Sequence, residues 1–318
     1  MRTFTKVGGA VGVLLLAGSL VACTDGSEAA SGPGSTEVTS VGLMVQDLGN
    51  PFFASMSNGV EAAAKDLGAT FTAQDGRQDL GAQNDQIDAF IQQGIDVILV
   101  NAVDSDGIGP AVTRAINAGI TVVAVDVGAK NAQATVTTDN VQAGRISCEY
   151  LANEIGGAGD ILLVDGTPTT SIEDRVAGCN EALAEFPDIK IVGQQNGDNG
   201  RDKALTLTTD MITASPNIKG IFGINDPTAL GANLAAKQAG LSDLVITGVD
   251  GSPEAVKDMT SGDSMFQATA AQDPYLLGTT ALEMAVKLRA GEKLDKDLVL
   301  VPSTLVTVDN VGEYKGWK

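Results

Sequence analysis

Asn101, Asp126, Asn225, Asp226, Asp250 and Gln272 share one placement: each follows or closes an apolar run of strand character. Arg175 falls in the first turn of a helix-like stretch. Amides both donate and accept, carboxylates accept, and a guanidinium donates through a planar fork. Such a set complements vicinal hydroxyls, each of which also donates and accepts. Upstream, Asn50-Pro51-Phe52-Phe53 joins a polar turn to two aromatic rings, which would cover the C–H face of a ligand. Taken singly, each polar residue would serve equally as a helix cap or an Asx turn, and each Phe as core. Adjacent helix residues point about 100° apart, which disfavours burying both rings on one face.

Other chemistries are excluded by what the chain lacks. It contains no histidine, which removes Ser-His-Asp and Cys-His catalysis and every His-ligated metal site. It has neither a GxxxxGK[ST] loop nor a GxGxxG turn. Asp104-Ser-Asp-Gly107 lacks the alternating ligands and closing Glu of a calcium loop and reads as a turn. No catalytic residue, cofactor or metal ligand is assigned. Lys and Arg number 20 against 40 Asp and Glu, and that excess repels nucleic acid and anionic membrane surfaces.

The elements that would position these residues alternate. Strands are expected near 41–46, 69–74, 96–100, 120–126 and 134–138, with helices near 52–67, 80–93 and 107–118. A second series runs helix 140–155, strand 160–165, helix 173–185, strand 189–195, helix 201–214, strand 219–224, helix 227–239 and strand 244–250. Each step has the length of a right-handed crossover, so the fold class is α/β, two doubly wound parallel sheets in tandem. Ligands bind beyond the carboxyl ends of such strands. Helix 274–290 and strand 298–308 exceed what the second sheet requires and are expected to return to the first lobe.

The N-terminus reads as a targeting segment. Arg2 and Lys6 precede an apolar stretch to Ala22 that is too short for a comfortable span. Leu20-Val-Ala-Cys23 looks like the lipobox of bacterial lipoproteins, in which the Cys is lipidated and becomes the first residue. Residues 1–22 are therefore expected as signal peptide and 23–37 as a flexible Ser/Gly/Ala-rich tether. Export leaves Cys148 and Cys179 as an even pair in an oxidising compartment. A disulfide between them is expected, with two separate buried thiols as the alternative.

From Val38 to Val308 the chain resembles the ribose-binding branch of the type I periplasmic solute-binding proteins. The resemblance rests on Asn50-Pro-Phe-Phe53, Ile98-Leu-Val-Asn101, Ala118 to Asp126, Thr138-Asp-Asn140, Arg175-Val-Ala-Gly178, Asn225-Asp226, Val249-Asp-Gly251 and Ala271-Gln272. It implies two Rossmann-like lobes joined by a three-crossover hinge, spanning 38–139 with 273–301 and 140–272 with 302–318. It also implies ligand contacts from Asn50, Phe52, Phe53, Asn101, Asp126, Arg175, Asn225, Asp250 and Gln272.

Three positions depart from ribose binders. Val127 stands where they carry Arg, and Asn199 and Val249 stand where they carry Phe, so these three are expected to contact the ligand as well. With fewer rings and one cationic fork missing, an open-chain sugar alcohol becomes a candidate beside a pentose, a hexose or a furanone-type signalling molecule. Gln46, Asp47 and Glu173 are candidates for replacement contacts. The expected function is the binding component of an ABC importer: exported, anchored through Cys23, monomeric, and partnered by permease transmembrane subunits. A sugar-responsive repressor would need a basic helix-turn-helix where the export signal stands. A secreted carboxylate-dependent enzyme is the reading from another class.

Overall fold

Asn50 starts the first helix by accepting the Phe52 amide on Oδ1 at 3.0 Å, and Pro51 fills a position that needs no donor. The same strand–turn–helix logic repeats along residues 36–317, which the computed structural model describes. The expected signal peptide, Cys23 and the tether up to residue 35 lie outside the described residues.

The first series is β1 (Ser40–Val45), α1 (Pro51–Asp66), β2 (Thr70–Asp75), α2 (Leu80–Gln93), β3 (Val97–Val100), α3 (Gly109–Asn117), β4 (Thr121–Val125) and β5 (Ala134–Thr138). The second is α4 (Asn140–Glu154), β6 (Ala158–Asp165), α5 (Thr170–Leu183), β7 (Asp188–Asn196), α6 (Arg201–Ala214), β8 (Gly220–Gly223), α7 (Asp226–Gln238), β9 (Val245–Asp250), α8 (Pro253–Met259) and β10 (Phe266–Ala271). Helix α9 (Pro274–Arg289) and strands β11 (Leu298–Val301) and β12 (Thr304–Thr307) follow.

Two six-stranded sheets result, ordered β2-β1-β3-β4-β5-β11 and β7-β6-β8-β9-β10-β12. All pairings are parallel except β10 with β12. The central strands β3 and β4 are buried along their whole length, as a sheet covered on both faces requires. Apolar clusters lie on both faces of each sheet, including one centred on α1 and α9 and another on α2 and α3.

The chain passes between the sheets at β5–α4, β10–α9 and β11–β12. Hydrogen bonds tie these crossings to one another. The Asp139 amide donates to the Val301 carbonyl at 2.8 Å, the Ser303 amide to Gln142 Oε1 at 2.9 Å, and the Thr138 hydroxyl to Gln272 Oε1 at 2.5 Å.

Helices α4 and α5 pack with their backbones nearly touching. A Cβ on Gly144 would collide with the Arg175 carbonyl, and one on Gly178 with the Val141 carbonyl. Cys148 and Cys179 join the same two helices in a disulfide, with Cα atoms 5.1 Å apart.

Three details differ from the sequence expectation. The strand expected over 298–308 is two strands in different sheets, because Pro302 has no N–H to continue a ladder. Helix α8 has no counterpart in the sequence expectation, and β10 is expected only as the run that Gln272 closes, without bounds. The helix has only seven residues, and the strand, FQATAA, is half alanine and gains its place by pairing with β9 and β12. Helix α5 begins at Thr170 rather than 173.

Candidate functional site

Loops at the carboxyl ends of strands from both sheets line a narrow, partly open cavity of about 40 Å³. Its walls include Asn50, Phe52, Phe53 and Asp126 from the first sheet's side and Arg175, Asn199, Asn225 and Asp250 from the second's, with Gln272 at a crossing. The two sides touch above it. The Gly128 amide donates to Thr170 Oγ1 at 2.7 Å, and the Thr170 amide to Ser105 Oγ at 3.2 Å.

Asp126 is placed by backbone geometry. Its φ is 69°, a left-handed conformation that turns the chain sharply at the end of β4. The Thr137 hydroxyl holds its carbonyl, and Asn101 Nδ2 donates to Oδ2 at 2.9 Å. The other oxygen, Oδ1, is buried with no hydrogen-bond partner in the protein. Burial pushes the carboxyl up to about 6, against the pull of Arg175 and Asn101.

Arg175 is buried at the centre. Its Nε donates to Asn140 Oδ1 at 2.9 Å and its Nη1 to the Ile224 carbonyl at 3.0 Å, with Asp250 Oδ1 3.8 Å away. Asp250 also accepts from Gln272 Nε2 at 2.8 Å. Asp226 lies behind it and accepts from Thr269 Oγ1 at 2.6 Å and the Ser252 amide at 2.7 Å. Burial raises Asp226 to about 6; burial and then the Asp226 charge raise Asp250 well above the carboxylate range. One guanidinium thus faces three buried carboxyls. The polar reading and the capping reading of Asn50 and Asn225 are both satisfied. Asn225 accepts the Thr228 amide to cap α7 and turns its Nδ2 to the Asn199 carbonyl at 3.1 Å.

Three expected contact residues do not line the cavity. Asn101 is fully buried beneath it and bridges the Gln46 amide to Asp126, so it orients the wall. Val127 packs among Met44, Ile98 and Ile108 in the α2–α3 face, and Val249 packs against α4 and α5 in the other sheet's core. Alternation along β9 turns Val249 away from the neighbouring Asp250, and the sharp left-handed turn at Asp126 sends Val127 back onto the core. Of the suggested replacements, Gln46 lines the cavity. Glu173 faces a separate outer recess, and Asp47 Oδ1 accepts the Gly49 amide.

Sequence reasoning missed Gln78, Thr169, Ser171 and Ile172. Gln78 lies beyond the end of β2, a first-series loop left out of the strand-end inventory. Thr169 and Ser171 surround the start of α5, which had been placed too late.

The periplasmic binding protein domain model matches residues 41–293. The chain belongs to this family. A ribose import binding protein of Bacillus subtilis is 32% identical over 271 residues, covering 84% of this chain and 87% of that protein. A xylitol-binding protein of Mycolicibacterium smegmatis is 31% identical over 320 residues, covering 98% of this chain and 88% of that protein. Among solved structures, an ABC transporter solute binding protein from Mycobacterium smegmatis with bound glycerol superposes with a TM-score of 0.83. It is 30% identical, and the match covers 88% of this chain and 98% of that one. The two parallel-sheet lobes are the fold of this periplasmic binding protein family. Among the described residues, no helix is long and apolar enough to cross a membrane.

Proposed function

We propose that this chain is the extracytoplasmic solute-binding component of an ABC importer, and that its cavity takes a small monosaccharide or sugar alcohol of pentose or pentitol size. The observation that carries the ligand class is Asp126 Oδ1, a buried acceptor without a donor on the wall of the cavity between the two sheets. A ligand hydroxyl would satisfy it, and leaving such an atom unmade is costly. Asp250, Arg175, Asn225 and Gln272 would take further hydroxyls, while Phe52 and Phe53, set edge to face, would cover carbon.

Likeness to binders of both ribose and xylitol supports a polyhydroxylated ligand, cyclic or open. The absence of a ring from the Asn199 position on the cavity wall favours the open-chain form. On this reading, segments 38–139 with 273–301 and 140–272 with 302–318 move as two bodies about the crossings. Cys23 carries the lipid anchor, the chain works as a monomer, and permease transmembrane subunits are its partners.

A thermal-shift screen of D-ribose, D-allose, xylitol, myo-inositol and glycerol tests the ligand class. A true ligand at a hundred times its Kd stabilises by about 2.7 kcal/mol. No shift with any polyol would sink the reading. For the anchor, Cys23→Ala should release the protein from the membrane fraction.

A further inference from the structure

The segment after β12 returns to the cavity and reaches both of its sides. Tyr314 packs on the second sheet's core, and its hydroxyl donates to the Gly251 carbonyl at 2.9 Å. Three residues on, Trp317 Nε1 donates to the neighbouring Asp250 carbonyl at 3.0 Å. The Trp317 ring crosses to the first sheet's core, where it meets Phe52 edge to face at 5.6 Å and 80°. The loop it holds is strained: Asp250 has φ of 138°, a region that favours glycine. The strained Asp250 and the Phe52 ring that Trp317 meets are both cavity walls.

We infer that Trp317 is a positioning residue of the cleft. It clamps the Asp250 loop of one lobe to Phe52 of the other, and so slows reopening once the lobes are together. The inference rests on the proposed binding function for its ligand arm. Its bond goes to the backbone of Asp250, so the carboxylate stays available to the cavity. Its ring braces Phe52 from outside the cavity, so the exposed face of Phe52 stays available to carbon. Association begins in the open form, where the clamp is unmade, and only dissociation has to break it.

The test uses the full chain with xylitol and D-ribose as probes. Trp317→Ala should raise Kd about tenfold, through faster dissociation with association unchanged. Trp317→Phe keeps a ring and loses the N–H, and should fall between. A role in folding alone would lower the melting temperature and leave the dissociation rate as it was. Dissociation from Trp317→Ala within about twofold of wild type overturns the inference.

If wild type binds neither probe, the clamp is read without ligand, and the functional reading stands or falls on the wider polyol screen. In a Cys23→Ser background, Gly128→Cys with Thr170→Cys sets two thiols across the cleft. Oxidative joining of that pair should slow severalfold when Trp317→Ala is added, and an equal rate overturns the clamp by itself.

Discussion

Asp126 carries two opposed demands. Its carboxylate must be buried to meet a ligand in low dielectric, yet burial without a donor raises it to about 6. A carboxyl raised above its unfolded value of 3.8 is favoured in its protonated form by the fold. Its contribution to stability is therefore greatest below pH 3.8 and declines as pH climbs through 6. Asp226 shifts the same way. Ligand-free protein should therefore melt at higher temperature at pH 5 than at pH 7.5, and calorimetric scans would read it. Asp126→Asn should flatten part of that slope and raise the pH 7.5 melting temperature by about 2–4 °C. Ligand reverses the sign, because a hydroxyl donating to Oδ1 favours the ionised form. Affinity should strengthen from pH 5 to pH 7.5, and Asp126→Ala should weaken binding by about 10–100-fold in titration calorimetry. A neighbouring position shows where sequence comparison misleads. Val127 occupies the slot of a ligand-binding Arg in ribose binders, yet it is 1% exposed and faces the α2–α3 core. Val127→Arg should therefore unfold or strongly destabilise the protein rather than redirect it to ribose, as circular dichroism during heating would show.

At the scale of elements, the α4–α5 pair fixes the centre of the site. Arg175 lies between Gly178 and the helix start, and the collision expected at Gly144 is with the Arg175 backbone itself. Spacing of these helices therefore sets the height of the guanidinium against Asp250. Reduction of Cys148–Cys179, or Cys148→Ser with Cys179→Ser, should cost about 2–4 kcal/mol in denaturant titration. Weaker ligand binding should accompany it, because Arg175 loses its fixed neighbour. Much of this layer was legible beforehand. Asn50-Pro51 declares a helix start, Gly94, Gly119 and Gly240 mark helix ends, and strand-end Asp126, Asn225, Asp250 and Gln272 declare a cleft. What escaped has physical causes. A short strand that is half alanine, such as β10, carries a weak side-chain signature, so its end at Gln272 was legible while its bounds were set by pairing with β9 and β12. Pro302 was readable as a break, but nothing local says that the next residues join another sheet. Trp317 escaped because its partners, Phe52 and Asp250, are far away along the chain.

Across the whole molecule, the crossings restrict motion. Three strands of chain joined by their own hydrogen bonds allow bending about one axis and resist sliding or twisting. Solution scattering should show a smaller radius of gyration on adding saturating ligand, with unchanged helix content by circular dichroism. The same crossings have a consequence for how the protein is made. Neither sheet is a continuous piece of chain. If the chain is threaded across a membrane from its N-terminus, β1 to β5 emerge first, with the β5 edge unpaired and α1 lacking α9. The whole of α4 to β10 must then pass before α9 and β11 arrive to cover them. Throughout that interval the first half presents an open strand edge and a bare apolar helix face to its surroundings. An exported chain with this topology spends its most vulnerable moments half delivered.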